Sequence, residues 1–228
     1  MLIRHATLDD LDALSTMENA CFPPQDAADQ EKLAARIEAY PDHFWLLINT
    51  DPDKQGVSFP ARVEEGPLVS FINGPASQDP DITDPMFSDV SMHDERGAWQ
   101  MILGIDTAPV YQHHGCGGYL LRRVILDSAL NGRKGIVLVC REKLVKFYHE
   151  FGFMDEKISP STRSNTTWHQ MRLLLNMDEQ SAVEQFGDDA PEALELAHDS
   201  ISRAMRETTQ YIDREEAVTG RIPVLSRR

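Results

Sequence analysis

Apolar residues recur along this 228-residue chain in two rhythms, one helical and one extended. Residues 2–6 (LIRHA) read as a short strand. Leu8, Leu11, Leu14 and Met17 then fall at helical spacing, with Thr7 at the N-cap and the Pro23–Pro24 pair as the stop. A second helix is expected in AADQEKLAARIEAY, ended by Pro41. FWLLIN (44–49) and PLVSFING (67–74) read as strands, separated by a turn-rich excursion. Residues 75–97 are rich in Pro, Asp and Ser and show no periodicity, the character of a lid or a disordered loop.

WQMILGIDT (99–107) resumes as a strand. Tyr119 to Leu130 reads as a helix, with Leu120, Leu121, Val124, Ile125 and Ala129 opposite Arg122, Arg123 and Asp127. GIVLVC (135–140) is a continuous apolar strand of the type buried on both faces. A short helix that breaks at Gly152 and an alternating strand, TTWHQMRLLL (166–175), close the pattern. The order β-α-α-β-β-β-α-β-α-β-β predicts an α/β fold, a mixed sheet with helices on both faces. After Asn176 the chain turns polar and acidic. Leu194, Ala197, Ile201, Ala204, Thr208 and Ile212 make one narrow apolar stripe. It is read as a helix laid on its own domain or on a partner subunit.

The net charge of -15 repels nucleic acid, so no nucleic-acid partner is expected, and it favours cations, amines among them. No apolar run approaches the roughly 18 residues a membrane span needs, so no membrane partner is expected. Cys21, Cys116 and Cys140 are far apart and odd in number, which suggests neither a disulfide framework nor a zinc ribbon, and cytoplasm is the expected compartment.

QHHGCGG, Gln112 to Gly118, follows a strand and opens a helix. Free N–H groups and the helix dipole at such a place favour phosphate, and glycine lets a ligand approach. There is no GxxxxGK[ST], and the spacing G-C-G-G is not G-x-G-x-x-G. What remains is Q-x-x-G-x-G with Gly118 added; a turn with glycines for packing alone would look the same. Adjacent His113 and His114 have diverging side chains and no third ligand, so no metal is expected. At a helix N-terminus the Cys116 thiol is expected to be acidified and reactive.

With this motif in place, the chain resembles the GNAT superfamily of acetyl-CoA-dependent N-acetyltransferases. Those enzymes begin their pyrophosphate-binding helix with Q/R-x-x-G-x-G/A, and LVCREKLVKFYHEFGF (138–153) looks like their second block. The wording of CREKLVKFYHEFGF and ENACFPPQDA is most like the arylalkylamine N-acetyltransferase branch. The resemblance covers about residues 2–175 and implies a mostly antiparallel central sheet flanked by helices, with 176–228 an acidic helical extension outside that domain. It implies acetyl-CoA as co-substrate, with its pantetheine arm against Ile105, Asp106 and Thr107. Its pyrophosphate would lie on Gln112, His113, His114, Gly115, Cys116, Gly117 and Gly118. Tyr148 matches the family's tyrosine near the thioester sulfur and is the expected acid for the leaving thiolate. The branch's two catalytic histidines fall at Met101 and Leu103, neither of which can take a proton. Asp26 and Glu18 are the candidate replacements, with His93 behind them. The expected reaction is direct acetyl transfer to a small primary amine with an apolar or aromatic body. The alternatives are acetylation of a protein N-terminus or lysine, and a CoA-binding regulatory module without turnover. A homodimer through the tail helix is a further expectation.

Overall fold

The alternation along the chain resolves into two sheets joined through a single kinked strand. The computed structural model describes residues 1–51, 60–161 and 166–219, with side chains as far as Thr208. Most of the turn-rich excursion, 52–59, and the side chain of Ile212 lie outside the described residues.

The N-terminal half runs β1 (Leu2–His5), α1 (Leu11–Cys21), α2 (Gln30–Ala39), β2 (Phe44–Ile48), β3 (Arg62–Val63) and β4 (Gly66–Asn73). α1 ends at Phe22, just before the two prolines, and α2 is capped by the Asp29 side chain, which accepts from Lys32 N–H at 2.8 Å. The next elements are β5 (Ala76–Ser77), β6 (Trp99–Ile102), β7 (Gly104–Thr107), α3 (Cys116–Leu130) and β8 (Gly135–Cys140). α4 (Glu142–His149), β9 (Met154–Ile158), β10 (His169–Leu174), α5 (Glu179–Phe186) and α6 (Ala190–Thr219) complete the chain.

The first sheet is antiparallel, with order β1-β2-β4-β3, and β7 also pairs with β4. The second has order β5-β6-β8-β10-β9, and its β6–β8 pair is parallel. β6 and β7 are one continuous strand that changes partners at Leu103. Asn73 pairs with Gly104 while Ala76 pairs with Gln100, so the β6–β7 strand carries one residue more than its partner, a bulge. Beyond Ile102 and Leu138 the parallel ladder ends. β7 stays with β4, Val139 and Cys140 stay with β10, and the two strands part.

Strand parity, shifted in β4 by a bulge at Val69, sorts the core into two. Trp45, Leu47, Val69 and Ile72 face α3, with Leu120, Leu121, Val124 and Ile125. Phe44, Leu46, Ile48, Leu68 and Phe71 face α1 and α2, with Leu14, Met17, Leu33 and Ile37.

Two expectations need correction. Residues 75–97 are not a structureless loop: they hold β5 and two 3-10 turns, Asp84–Phe87 and Val90–Met92. Long-range groups that leave no local periodicity fix this segment. Arg172, wholly buried, donates to Asp81 at 2.7 Å, and Arg36 donates to the Phe87 carbonyl at 2.8 Å. The helix expected from Tyr119 begins at Cys116, so Cys116, Gly117 and Gly118 form its first turn. In the tail, Ala193, Ala197 and Ala204 are buried in the same core as α3. Two members of the stripe, Ala197 and Ala204, are thus buried within the subunit, and Leu194 and Ile201 pack against the same core.

Candidate active site

β7 delivers the chain to the glycine-rich turn. Gln112 Nε2 donates to the Thr107 carbonyl at 3.0 Å, and His114 Nδ1 lies 2.7 Å from the Gln112 carbonyl. His113 (φ 61°) and Gly115 (φ 79°) take left-handed conformations that re-aim the backbone into α3. Gln112, His113, His114 and Gly115 are exposed. The first N–H groups of α3 have no intrahelical acceptor.

The three glycines have different reasons. A Cβ on Gly115 would meet nothing within 4 Å; its positive φ is the requirement. A Cβ on Gly117 would fall 2.8 Å from Thr107 Oγ1, and one on Gly118 2.6 Å from the Phe151 ring. Two of the three therefore serve close packing of α3, against β7 and against Phe151 in the turn after α4, and only Gly115 stands in open space.

Ile105 and Thr107 are half-buried and face α3, while Asp106, between them, is buried and faces α1. Of the arm-lining trio read from the sequence, Asp106 thus turns its side chain the other way, and only its backbone borders the parted strands. Its carbonyl accepts from Ser70 Oγ. Cys21 Sγ donates to the Thr107 carbonyl at 3.3 Å, and burial pushes that thiol up to about 12.

Tyr148, on α4, is buried with its ring against Phe147 and Phe153. Burial raises its phenol well above the usual value, and the nearby Cys140 and Asp106 add to the rise. The phenol is protonated at neutral pH, as a proton donor must be.

Glu18 and Asp26 are both tied into the α1–α2 loop. Glu18 Oε1 accepts from Ala28 N–H at 2.8 Å. Asp26 Oδ2 accepts from Arg141 Nη2 at 2.7 Å, while Arg141 also donates to Thr166 and stacks on Trp168. This bridge joins the α1–α2 loop to the β9–β10 loop across the end of β8. Arg141 has no local signature that could have revealed it, since its partner lies 115 positions away.

Burial raises the Cys116 thiol rather than lowering it, so the acidified, reactive cysteine expected at the helix start is not found.

His93 lies away from the parted strands. Its Nε2 is 3.4 Å from Glu95, whose carboxylate is also 3.0 Å from His43 Nε2. These three could be taken for metal ligands, but the tautomers argue otherwise. Ala76 N–H donates to His93 Nδ1, which leaves the His93 proton on Nε2, the atom a metal would need bare. Gln100 Oε1 is 2.7 Å from His43 Nδ1, and Arg133 donates to Glu95 at 3.1 Å. The cluster is a hydrogen-bonded node that pins 75–97 to β2 and β6.

No protein-family model and no curated protein matches the chain. Solved structures do. GphF, a GNAT-like decarboxylase in complex with isobutyryl-CoA, is 20% identical, with 76% of this chain and 99% of that one covered at a TM-score of 0.58. The loading GNATL domain of CurA from Lyngbya majuscula is 20% identical, with 75% and 96% covered at 0.62. The ribosomal-protein-S18-alanine N-acetyltransferase from Escherichia coli is 16% identical, with 78% and 95% covered at 0.52. The kinked strand, the glycine turn into α3 and these likenesses agree: the chain has the GNAT fold.

Proposed function

We propose that the chain is an acetyl-CoA-dependent N-acetyltransferase that moves an acetyl group directly to a small primary amine with an apolar or aromatic body. The observation that carries the reading is the convergence of three features. β7 parts from β8, a left-handed glycine turn opens α3 beside it, and the buried, protonated Tyr148 stands on α4 within electrostatic reach of Asp106. In this reading the parted β7 edge holds the pantetheine arm by backbone hydrogen bonds, and Gln112 to Gly118 hold the pyrophosphate. Tyr148 gives its proton to the leaving thiolate.

The small-amine preference rests on closure. A peptide acceptor needs an open groove. Here the Asp26–Arg141 bridge ties the α1–α2 loop to the end of β8, and residues 75–97 lie along β6 and β10. The wording of ENACFPPQDA and CREKLVKFYHEFGF supports the arylalkylamine branch, while Met101, in the buried core, and Leu103 stand where that branch has its histidines. Of the similar structures, one is named for acetylating a ribosomal-protein alanine and another as a decarboxylase, so the acceptor must be found by experiment.

Release of CoA thiol, followed at fixed acetyl-CoA across phenethylamine, tryptamine, spermidine and a short peptide, makes that test. Saturable turnover on the aryl amines is expected. Turnover on the peptide alone would replace the small amine with a protein acceptor. Binding of acetyl-CoA without turnover on any amine would leave the CoA-binding module.

A further inference from the structure

The exposed positions of α5 and of the first half of α6 are mostly polar, with one exception. Between the two helices runs a groove of about 480 Å³, lined by Val183, Ala190, Pro191 and Leu194 and by the acids Glu179 and Glu184. Ala182 is buried in the core, but the neighbouring Val183 is 54% exposed, and Pro191 and both glutamates are exposed as well. An open apolar patch edged by polar groups marks a site for another chain segment.

The sequence holds a segment of matching chemistry. Beyond Thr219, outside the described residues, it reads GRIPVLSRR. Ile222, Pro223, Val224 and Leu225 are apolar, flanked by Arg221, Arg227 and Arg228 with no acid among them. In a chain of net charge -15 this is a local reversal of sign, and it matches a groove that carries two glutamates. Arginine and carboxylate make charge-assisted hydrogen bonds.

Reach decides which copy supplies the segment. α6 is one helix from Ala190 to Thr219. At about 1.5 Å per residue, Thr219 stands about 37 Å along the axis from Leu194. Leu225 comes six residues later, a reach of at most about 21 Å when fully extended. The apolar run therefore cannot turn back into its own groove. A second copy whose α6 lies antiparallel to the first brings its own Thr219 level with the groove, within that reach.

We propose that the α5–α6 groove takes residues 220–228 of a second copy of this chain. Ile222 to Leu225 would lie on Val183, Pro191 and Leu194, and the arginines would meet Glu179 and Glu184. Exchanged reciprocally about a two-fold axis, the tails close a dimer with two equivalent contacts. Like net charges oppose that pairing, so the basic segment supplies the local attraction. The inference stands apart from the acetyl-transfer reading.

Sedimentation velocity on the full chain is the first test. A mass of about twice the 25.7 kDa subunit is expected at micromolar concentration. Ile222→Asp combined with Leu225→Asp changes nothing in the described fold, and it should weaken the association by about 100-fold or more. A single-subunit mass for wild type would overturn the proposal, and so would a doubled mass that survives in the variant. A covalent trap then identifies the copies. With Val183→Cys and Leu225→Cys in one chain, oxidation should give a reducible dimer on a denaturing gel. A disulfide closed within one chain would overturn the exchange between copies. No disulfide, or a dimer that either change alone forms as readily, would overturn the docking itself.

Discussion

At position 118 an added methyl group would sit 2.6 Å from the Phe151 ring, and at 115 it would touch nothing. The two substitutions should therefore fail differently. Gly118→Ala overpacks the contact of α3 with Phe151 and should cost about 1–3 kcal/mol of stability, read as a lower urea midpoint. Gly115→Ala puts a Cβ on a left-handed residue, at about 1–2 kcal/mol, in space the protein itself does not fill. It should weaken acetyl-CoA binding in a titration beyond any loss of stability. Equal acetyl-CoA affinity in Gly115→Ala and wild type would detach that turn from phosphate. For Tyr148, replacement by Phe should cost about 10²-fold or more in kcat with acetyl-CoA affinity kept. Unchanged turnover would remove the phenol from the mechanism. The thiols make a pH prediction of their own. Burial raises both Cys21 and Cys140 to about 12, above the unfolded value near 9. Their contribution to stability is present below that unfolded value and is lost as pH rises towards 12. The urea midpoint should fall between pH 9 and 11, and Cys140→Ala should flatten the fall.

Among elements, legibility followed period. β2, β4, β8, α1 and α3 keep a 2.0 or 3.6 rhythm over enough residues to be read directly, and each lies within a few residues of its expected place. The segment 75–97 was illegible because its order comes from Arg172, Arg36 and the His43–Glu95–Arg133 node, all distant in sequence. The site was legible in part. The glycine turn and Tyr148 announce themselves as motifs, whereas the Arg141 bridge does not. Strict alternation in GIDT sets the Asp106 side chain opposite Ile105 and Thr107, an acid on a buried face. Breaking the bridge tests what closes the cleft. Arg141→Ala frees the α1–α2 loop from the β9–β10 loop, and it should raise KM for an aryl amine more than it changes kcat. A fall in kcat alone would place Arg141 in the chemistry instead.

Across the whole molecule, the tail is part of the fold rather than an appendage free in solvent. α6 buries Ala193, Ala197 and Ala204 in the core that α3 shares, Ser200 donates to the Phe151 carbonyl, and Arg122 pairs with Glu207 at 3.2 Å. Phe151 in turn abuts Gly118, so the tail braces the same helix start that the proposed CoA site uses. Removing residues 177–228 should therefore lower Tm and loosen acetyl-CoA binding together. Among the described residues no helix is long and apolar enough to cross a membrane, in keeping with a surface whose formal charge is -15. The central claim is that the parted β7 edge and the turn into α3 hold CoA, and backbone hydrogen exchange read by mass spectrometry with and without acetyl-CoA tests it most directly. Protection concentrated in residues 104–107 and 113–118 is the predicted result. Binding that leaves both segments unprotected would contradict it.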